Sequence, residues 1–225
     1  MGTKPRAVLD IETVGVPFED LDGPVQEYLL KNASSAEDDL EVRGSLGLYP
    51  VTGFVAAIGL LDPDTGKGAM YYQAPGEEPS LPLEEDGILY ETGTEEEILR
   101  KFWSYVKDKG SIVTYNGRGF DCPYLLVRSA VHRIRPTRDL MPNRYGDSHI
   151  DLMDRLSFFG SVRRRFSLDM WCRSLGIKSP KEEVHGGDVG RLFAEGRHLD
   201  IARYCARDIR ATAALFRLWE EYFRA

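Results

Sequence analysis

Residues 7–15, AVLDIETVG, form an apolar, β-branched run that carries two carboxylates, Asp10 and Glu12, one residue apart. Side chains alternate across a strand, so positions i and i+2 face the same way, about 6.5–7 Å apart along the chain. Asp10 and Glu12 therefore point together, while Ile11 points into the opposite layer. Two adjacent buried acids repel, and each raises the pKa of the other. A divalent cation would remove that cost. Exposure at a strand end, or arginine partners, would remove it equally, and the pair alone does not choose between these.

The pattern around this run predicts an α/β domain. Residues 6–13 read as the first strand, ended by Gly15, Val16 and Pro17. Residues 55–61 and 67–73 read as two more, joined by the turn signal Asp62-Pro63-Asp64-Thr65-Gly66, which predicts an antiparallel meander. Residues 17–53 carry an acidic cluster (Glu37, Asp38, Asp39, Glu41), a short helical pattern at 25–31 and several glycines. They are expected to be an insertion or flap over the strand end. Residues 74–93, rich in Pro, Gly and Glu, read as a loop. Thr94 and Glu97 then form a capping box, and Ile98, Phe102, Tyr105 and Val106 recur at helical spacing up to Gly110. A fourth strand at 111–115, a helix at 122–131 and a fifth short strand at 149–153 follow. Helices are expected at 168–175, 188–195 and 199–222. No repeat or linker interrupts the pattern, so residues 1–225 are expected to form a single domain with a mixed sheet.

Composition narrows the class. With 225 residues, 42% hydrophobic and 29% charged, the chain can bury a sizeable core. No apolar run approaches the roughly 20 residues of a membrane span, and the polar start at 1–5 shows no leader, so a cytoplasmic protein without membrane partners is expected. Cys122, Cys172 and Cys205 form no C-x-x-C, which argues against a disulfide framework or structural zinc. His132, His149, His185 and His198 lack ligand spacing. The net charge of −7 hides an asymmetry: residues 1–110 sum to −13, residues 111–173 to +5 and residues 174–225 to +1. Every basic residue in the middle stretch is arginine, whose guanidinium pairs phosphate in a fork. A phosphate-facing surface and a merely solvated face fit that charge equally well.

Two further stretches carry chemistry. In TYNGRGFDCPYL, residues 114–125, a strand ends in a Gly-Arg-Gly turn and enters a helix at Asp121. Asp121 suits a helix N-cap, with Pro123 at an early helical position. Strand-to-helix loops at the carboxyl end of a sheet are also where α/β proteins place their sites. In YCARD, residues 204–208, Tyr204 and Asp208 lie one helical turn apart on one face. Alone, this reads as a tyrosine at the core edge and a solvated aspartate.

Taken together, DIET, NGRGFD and YCARD resemble in order and context the three motifs of the DEDD exonuclease superfamily, in its tyrosine subgroup. The stretches NGRGFDCPYL, HIDLMDRLSFFG, FSLDMWCRSLGI and YCARDIRATAALF are similar to those of predicted 3′–5′ exonucleases related to the proofreading domain of B-family DNA polymerases. The resemblance runs from residue 7 to about 218. It implies a ribonuclease-H-like fold with a central mixed five-stranded sheet, strands 1–3 antiparallel and strands 1, 4 and 5 parallel, flanked by helices. It implies a two-metal 3′–5′ exonuclease acting on single-stranded 3′ ends, DNA rather than RNA. Asp10, Glu12, Asp121 and Asp208 would hold two Mg²⁺ or Mn²⁺ ions, with Asp10 bridging both and Asp121 holding the second largely through waters. Tyr204 would orient the attacking water. Thr13, Asn116 and Phe120 would contact substrate. With no polymerase module expected, any proofreading would act in trans. Rival readings are an RNA-directed or small-nucleotide exonuclease of the same superfamily, and a non-catalytic nucleic-acid-binding domain of the same fold.

Other residues stay open at this level. Arg163, Arg164 and Arg165 suit phosphate contact or a solvated loop. Asp151 and Asp154 lie near the fifth strand, Asp151 close to the site without being an expected ligand. Tyr145, Phe158 and Phe159 are able to stack on bases, although the two phenylalanines suit core packing better.

Overall fold

The computed structural model describes residues 5–77, 82–180 and 186–224. A seven-stranded sheet runs in the order β4-β5-β3-β2-β1-β6-β7. Five adjacent strands at one end of it match the expectation. β1 (Arg6–Gly15), β2 (Gly53–Leu61) and β3 (Gly68–Tyr72) form the antiparallel meander, and β6 (Ser111–Thr114) and β7 (His149–Asp151) continue it in parallel from β1.

Two strands, β4 (Leu83–Glu85) and β5 (Ile88–Thr92), lie where the sequence reads as a loop; residues 78–81 of that loop, like His185, lie outside the described residues. β5 pairs in parallel with β3, and β4 closes the edge. A positive-φ turn at Asp86 and Gly87 joins them. Their Pro, Gly and Glu content suits a short edge hairpin as well as a loop. β7 ends at Asp151, two residues before the expected strand end, because Asp151 caps α5 (Leu152–Leu156) by accepting from Met153 N.

Helices cover both faces. On one, α3 (Glu95–Val106) and α4 (Asp121–Val131) bury Ile98, Leu99, Phe102 and Leu125 against Ala7, Leu9 and Ile11 of β1. On the other, α6 (Leu168–Ser174), α7 (Val189–Ala194) and the 25-residue α8 (His198–Tyr222) pack over Val8, Val14 and Leu61. Ile11 thus faces the layer opposite to that of Val8 and Val14, as the alternation requires. α8 comes unusually close to the sheet at Gly59. A Cβ there would lie 2.9 Å from Cys205 Sγ and 3.0 Å from Ile209 Cγ2. Gly59 is the register partner of Asp10.

Residues 17–53 hold two helices, α1 (Gly23–Leu30) and α2 (Ala36–Gly44), where the sequence pattern suggested one. α2 buries no side chain, so it leaves no apolar stripe to read. Its start is set by a capping box between Ser35 and Asp38. The segment returns to the sheet at Gly47, whose carbonyl accepts from Thr13 Oγ1 at 2.7 Å and from the Tyr124 hydroxyl at 3.1 Å.

Candidate active site

β6 pairs with β1 only over Arg6–Val8 and then turns away, leaving the next stretch of β1 without a strand on that side. Asp121, the first residue of α4, fills the gap: its Oδ1 accepts from Ile11 N at 3.1 Å. The carboxylate is therefore not the helix N-cap, which falls on Phe120 and has no side-chain capping bond. From the other layer, α8 crosses β1 beside Gly59 and carries Tyr204, Cys205 and Asp208 toward Asp10. The register shift opposite Glu12 and Thr13 skips Ala56 of β2, so the extra residue sits on β2 and the alternation of β1 runs on through Thr13 to Val14.

The result is a convergence of acids from three elements. Glu12 and Asp121 are 8% and 3% exposed, and Asp10 and Asp208 are partly buried. Burial first, then Asp121, Asp208 and Glu12, push the Asp10 carboxyl well above its usual range. Burial, then Asp208 and Asp121, do the same to Glu12. Asp121 is pushed up to about 7, by burial first and then by Asp151 and Asp208, against the hydrogen bonds its carboxylate accepts from backbone N–H groups. No cation is among the leading influences on these three acids among the described residues. Burial also pushes the Tyr204 phenol up, followed by Asp208, Glu12 and Asp10, and its hydroxyl donates to Asp208. The five residues expected to carry catalysis thus act on one another electrostatically.

Cys205 joins them, which the sequence gave no reason to expect beyond its position next to Tyr204. Its Sγ lies 3.6 Å from the Asp10 carbonyl and 3.7 Å from Asp10 Oδ2, and its ligand atom is within 4.8 Å of those of Asp10 and Glu12. Burial and the neighbouring acids push the thiol up, so it stays protonated and donates to Asp10. The oxygen-donor carboxylates of Asp10, Glu12 and Asp121, with no salt-bridge partner among the described residues, fit a hard divalent ion; a neutral thiol does not compete for one.

The three residues expected at the substrate separate. Thr13 and Phe120, with Glu12, line a cleft of about 820 Å³ that also includes Arg43, Phe54 and Phe193. Asn116 lines a neighbouring cavity of about 280 Å³ with Arg118, Arg144, Asp151 and Arg165. Asn116 adopts φ 65°, and its N–H and that of Arg118 both donate to Asp151 at 2.9 Å. Asp151 is thus a buried clamp on the loop, its oxygens engaged by three backbone N–H groups. Asp154 pairs with Arg144. Phe158 and Phe159 are exposed rather than in the core, because both take left-handed backbone in a loop that lifts their rings outward. No helix among the described residues is long and apolar enough to cross a membrane.

Comparisons with known proteins bear on the family and the fold. The family described as predicted 3′–5′ exonuclease related to the exonuclease domain of PolB matches residues 86–222. The match takes in Asp121, Tyr204 and Asp208 and begins after β1. A DNA polymerase of Desulfurococcus sp. (strain Tok) is 28% identical over 145 residues, 58% of this chain and 18% of that protein. DNA polymerase 1 of Pyrococcus abyssi is also 28% identical over 145 residues and equal shares. The chain therefore spans under a fifth of the length of these relatives. In solved structures, the family B DNA polymerase of Pyrobaculum calidifontis superposes with a TM-score of 0.62 at 19% identity, covering 97% of this chain and 25% of that one. That likeness concerns the fold, the ribonuclease-H-like architecture that the sequence resemblance implied.

Proposed function

The chain belongs to the family of predicted 3′–5′ exonucleases related to the exonuclease domain of PolB, and from that membership we propose that it hydrolyses phosphodiester bonds at the 3′ end of single-stranded nucleic acid, DNA in preference to RNA. The observation that carries this reading is the convergence of Asp10 and Glu12, which lie before the matched segment, with Asp121, Tyr204 and Asp208 inside it. A structural role for β1 alone would not need two acids aimed at the other three residues.

Asp10, Glu12, Asp121 and Asp208 would hold two Mg²⁺ or Mn²⁺ ions, as in the tyrosine subgroup of the DEDD exonucleases. Bound there, such ions supply charge neutralisation and Lewis-acid polarisation of the phosphodiester and the attacking water. The protein's own part is positional. Because the Tyr204 hydroxyl is kept protonated and donates to Asp208, its oxygen is left to accept from a water and hold it in place. Tyr204 thus orients the nucleophile without serving as a base. Asp121, fixed by Ile11 N, keeps one oxygen for the backbone and turns the other to the cluster. Thr13 and Phe120 face the cleft where the terminal nucleotide would sit, and Asn116 contacts the strand from the neighbouring cavity. Residues 17–53, which supply Arg43, Gly47 and Leu48 to the cleft wall, act as a flap on a single exonuclease domain.

The test is hydrolysis of 3′- and 5′-labelled strands, DNA and RNA, single and paired, with Mg²⁺ and Mn²⁺. Single-stranded DNA shortened from the 3′ end is the expected result. Asp10→Asn and Asp208→Asn are each expected to lower the rate by several orders of magnitude with the fold intact. Full activity in either variant would refute the site. Cleavage confined to dinucleotides would favour the small-nucleotide reading instead.

A further inference from the structure

Beyond the carboxylate cluster, the segment after α5 combines strain, exposure and arginines with no carboxylate partner among the described residues. Phe158 and Phe159 both adopt left-handed backbone, φ 49° and 55°, a conformation that glycine takes freely and that side chains with a Cβ resist. Neither ring closes the core: Phe158 is 54% exposed and Phe159 36%. Tyr145, 67% exposed, places its ring centroid 4.7 Å from that of Phe159. The Arg155 guanidinium sits 5.2 Å from the Phe159 centroid on the same loop cluster. The Phe159 ring thus recovers something in contacts with its neighbours, whereas the Phe158 ring has no aromatic or cation–π partner among the described residues, and strain of this kind concentrates where a ligand is met.

Charge complementarity names the ligand. Arg163, Arg164 and Arg165 follow directly and are exposed. None of the three has a carboxylate partner among the described residues, whereas Arg144 and Arg155 are paired with Asp154 and Asp147. Arg165 also lines the 280 Å³ cavity shared with Asn116 and Arg118, on the loop that leads into Asp121. Arg144, next to Tyr145, and Arg165 line that one cavity, so π faces and guanidinium groups without a carboxylate partner among the described residues border it, Arg164 resting over the Phe166 ring at 5.6 Å. Bases match the rings and phosphates match the arginines, and single-stranded nucleic acid offers both at once.

We propose that Tyr145, Phe158 and Phe159 stack on bases of single-stranded DNA while Arg163, Arg164 and Arg165 neutralise its phosphates, forming a track that feeds the strand past Asn116 toward the carboxylate cluster. The identity of the occupant rests on the exonuclease reading; the binding test does not need hydrolysis. Affinity is measured by fluorescence anisotropy, in EDTA, for a labelled oligothymidylate of about 12 nucleotides, within the span of ordinary single-strand sites. Tyr145→Ala and Phe158→Ala are each expected to weaken binding about 5- to 100-fold. A blunt duplex of the same length, whose bases are not free to stack, changes less than about twofold. Arg163→Gln and Arg165→Gln each flatten the dependence of log affinity on log salt by about 0.7 on the single strand.

A fourth variant separates function from structure. Phe158→Asn replaces the ring with a side chain that tolerates positive φ, so it keeps or raises the melting temperature while losing the same affinity. Unchanged affinity in the ring variants, equal losses on duplex and single strand, or a lowered melting temperature in Phe158→Asn would each overturn the track. A protein that does not cleave DNA yet shows these losses would refute the exonuclease reading and leave the track standing.

Discussion

Asp121 shows how one carboxylate serves two partners. Its Oδ1 completes the hydrogen bonding of β1 at Ile11, and its position at the first residue of α4 faces it toward Asp10, Glu12 and Asp208. Asp121→Asn keeps an oxygen for Ile11 N, so it should fold and lose activity. Asp121→Ala also leaves a buried backbone donor without a partner and should cost a further 1–3 kcal/mol of stability, read from denaturant midpoints of the two variants. Tyr204→Phe separates orientation from ion binding. Loss of the hydroxyl should lower kcat roughly a hundredfold, while the rise in melting temperature on adding Mn²⁺ stays as in the parent. Loss of that rise as well would mean that Tyr204 shapes the ion site rather than the water.

At the level of elements, the close crossing of α8 over β2 sets the site. Gly59→Ala would place a methyl against Cys205 and Ile209 and lift the helix that carries Tyr204 and Asp208. It should cost about 1–3 kcal/mol and lower kcat more than it raises KM, measured by denaturation and steady-state hydrolysis. What the sequence made legible here, and what it hid, follows from the range of the interactions. Alternation put Asp10 and Glu12 on one face, and the i, i+4 spacing put Tyr204 and Asp208 on another, because both rules act within a few residues. The reach of Asp121 to Ile11 spans 110 residues, so the local pattern offered an N-cap instead. The edge hairpin β4–β5 went unread because short edge strands need no apolar run; Leu83 and Leu89 are themselves exposed. α2 went unread because nothing in it is buried, although Ser35 and Asp38 wrote its first turn. The outward rings of Phe158 and Phe159 depend on backbone angles that composition does not encode.

For the molecule as a whole, Asp10, Glu12 and Asp121 oppose folding when no cation is present. Their pKa values are raised in the folded state, so the native protein binds more protons than the unfolded chain between about pH 4 and the folded values, with Asp121 at about 7. Stability from these groups is full below about pH 4 and is lost as pH rises through each folded value, that of Asp121 at about 7. A divalent ion offsets that loss by binding the native state. The rise in melting temperature on adding Mg²⁺ should therefore be larger at pH 8 than at pH 5, and Asp10→Asn should shrink the difference; calorimetry at the two pH values measures both. The Ile11 amide joins the N-terminal meander to the family-matched half of the chain through a single carboxylate oxygen. Its proton is consequently a spectroscopic gauge: its chemical shift and its exchange with deuterium should follow the ionisation and cation loading of Asp121, letting one backbone resonance report on the state of a centre assembled from both ends of the polypeptide.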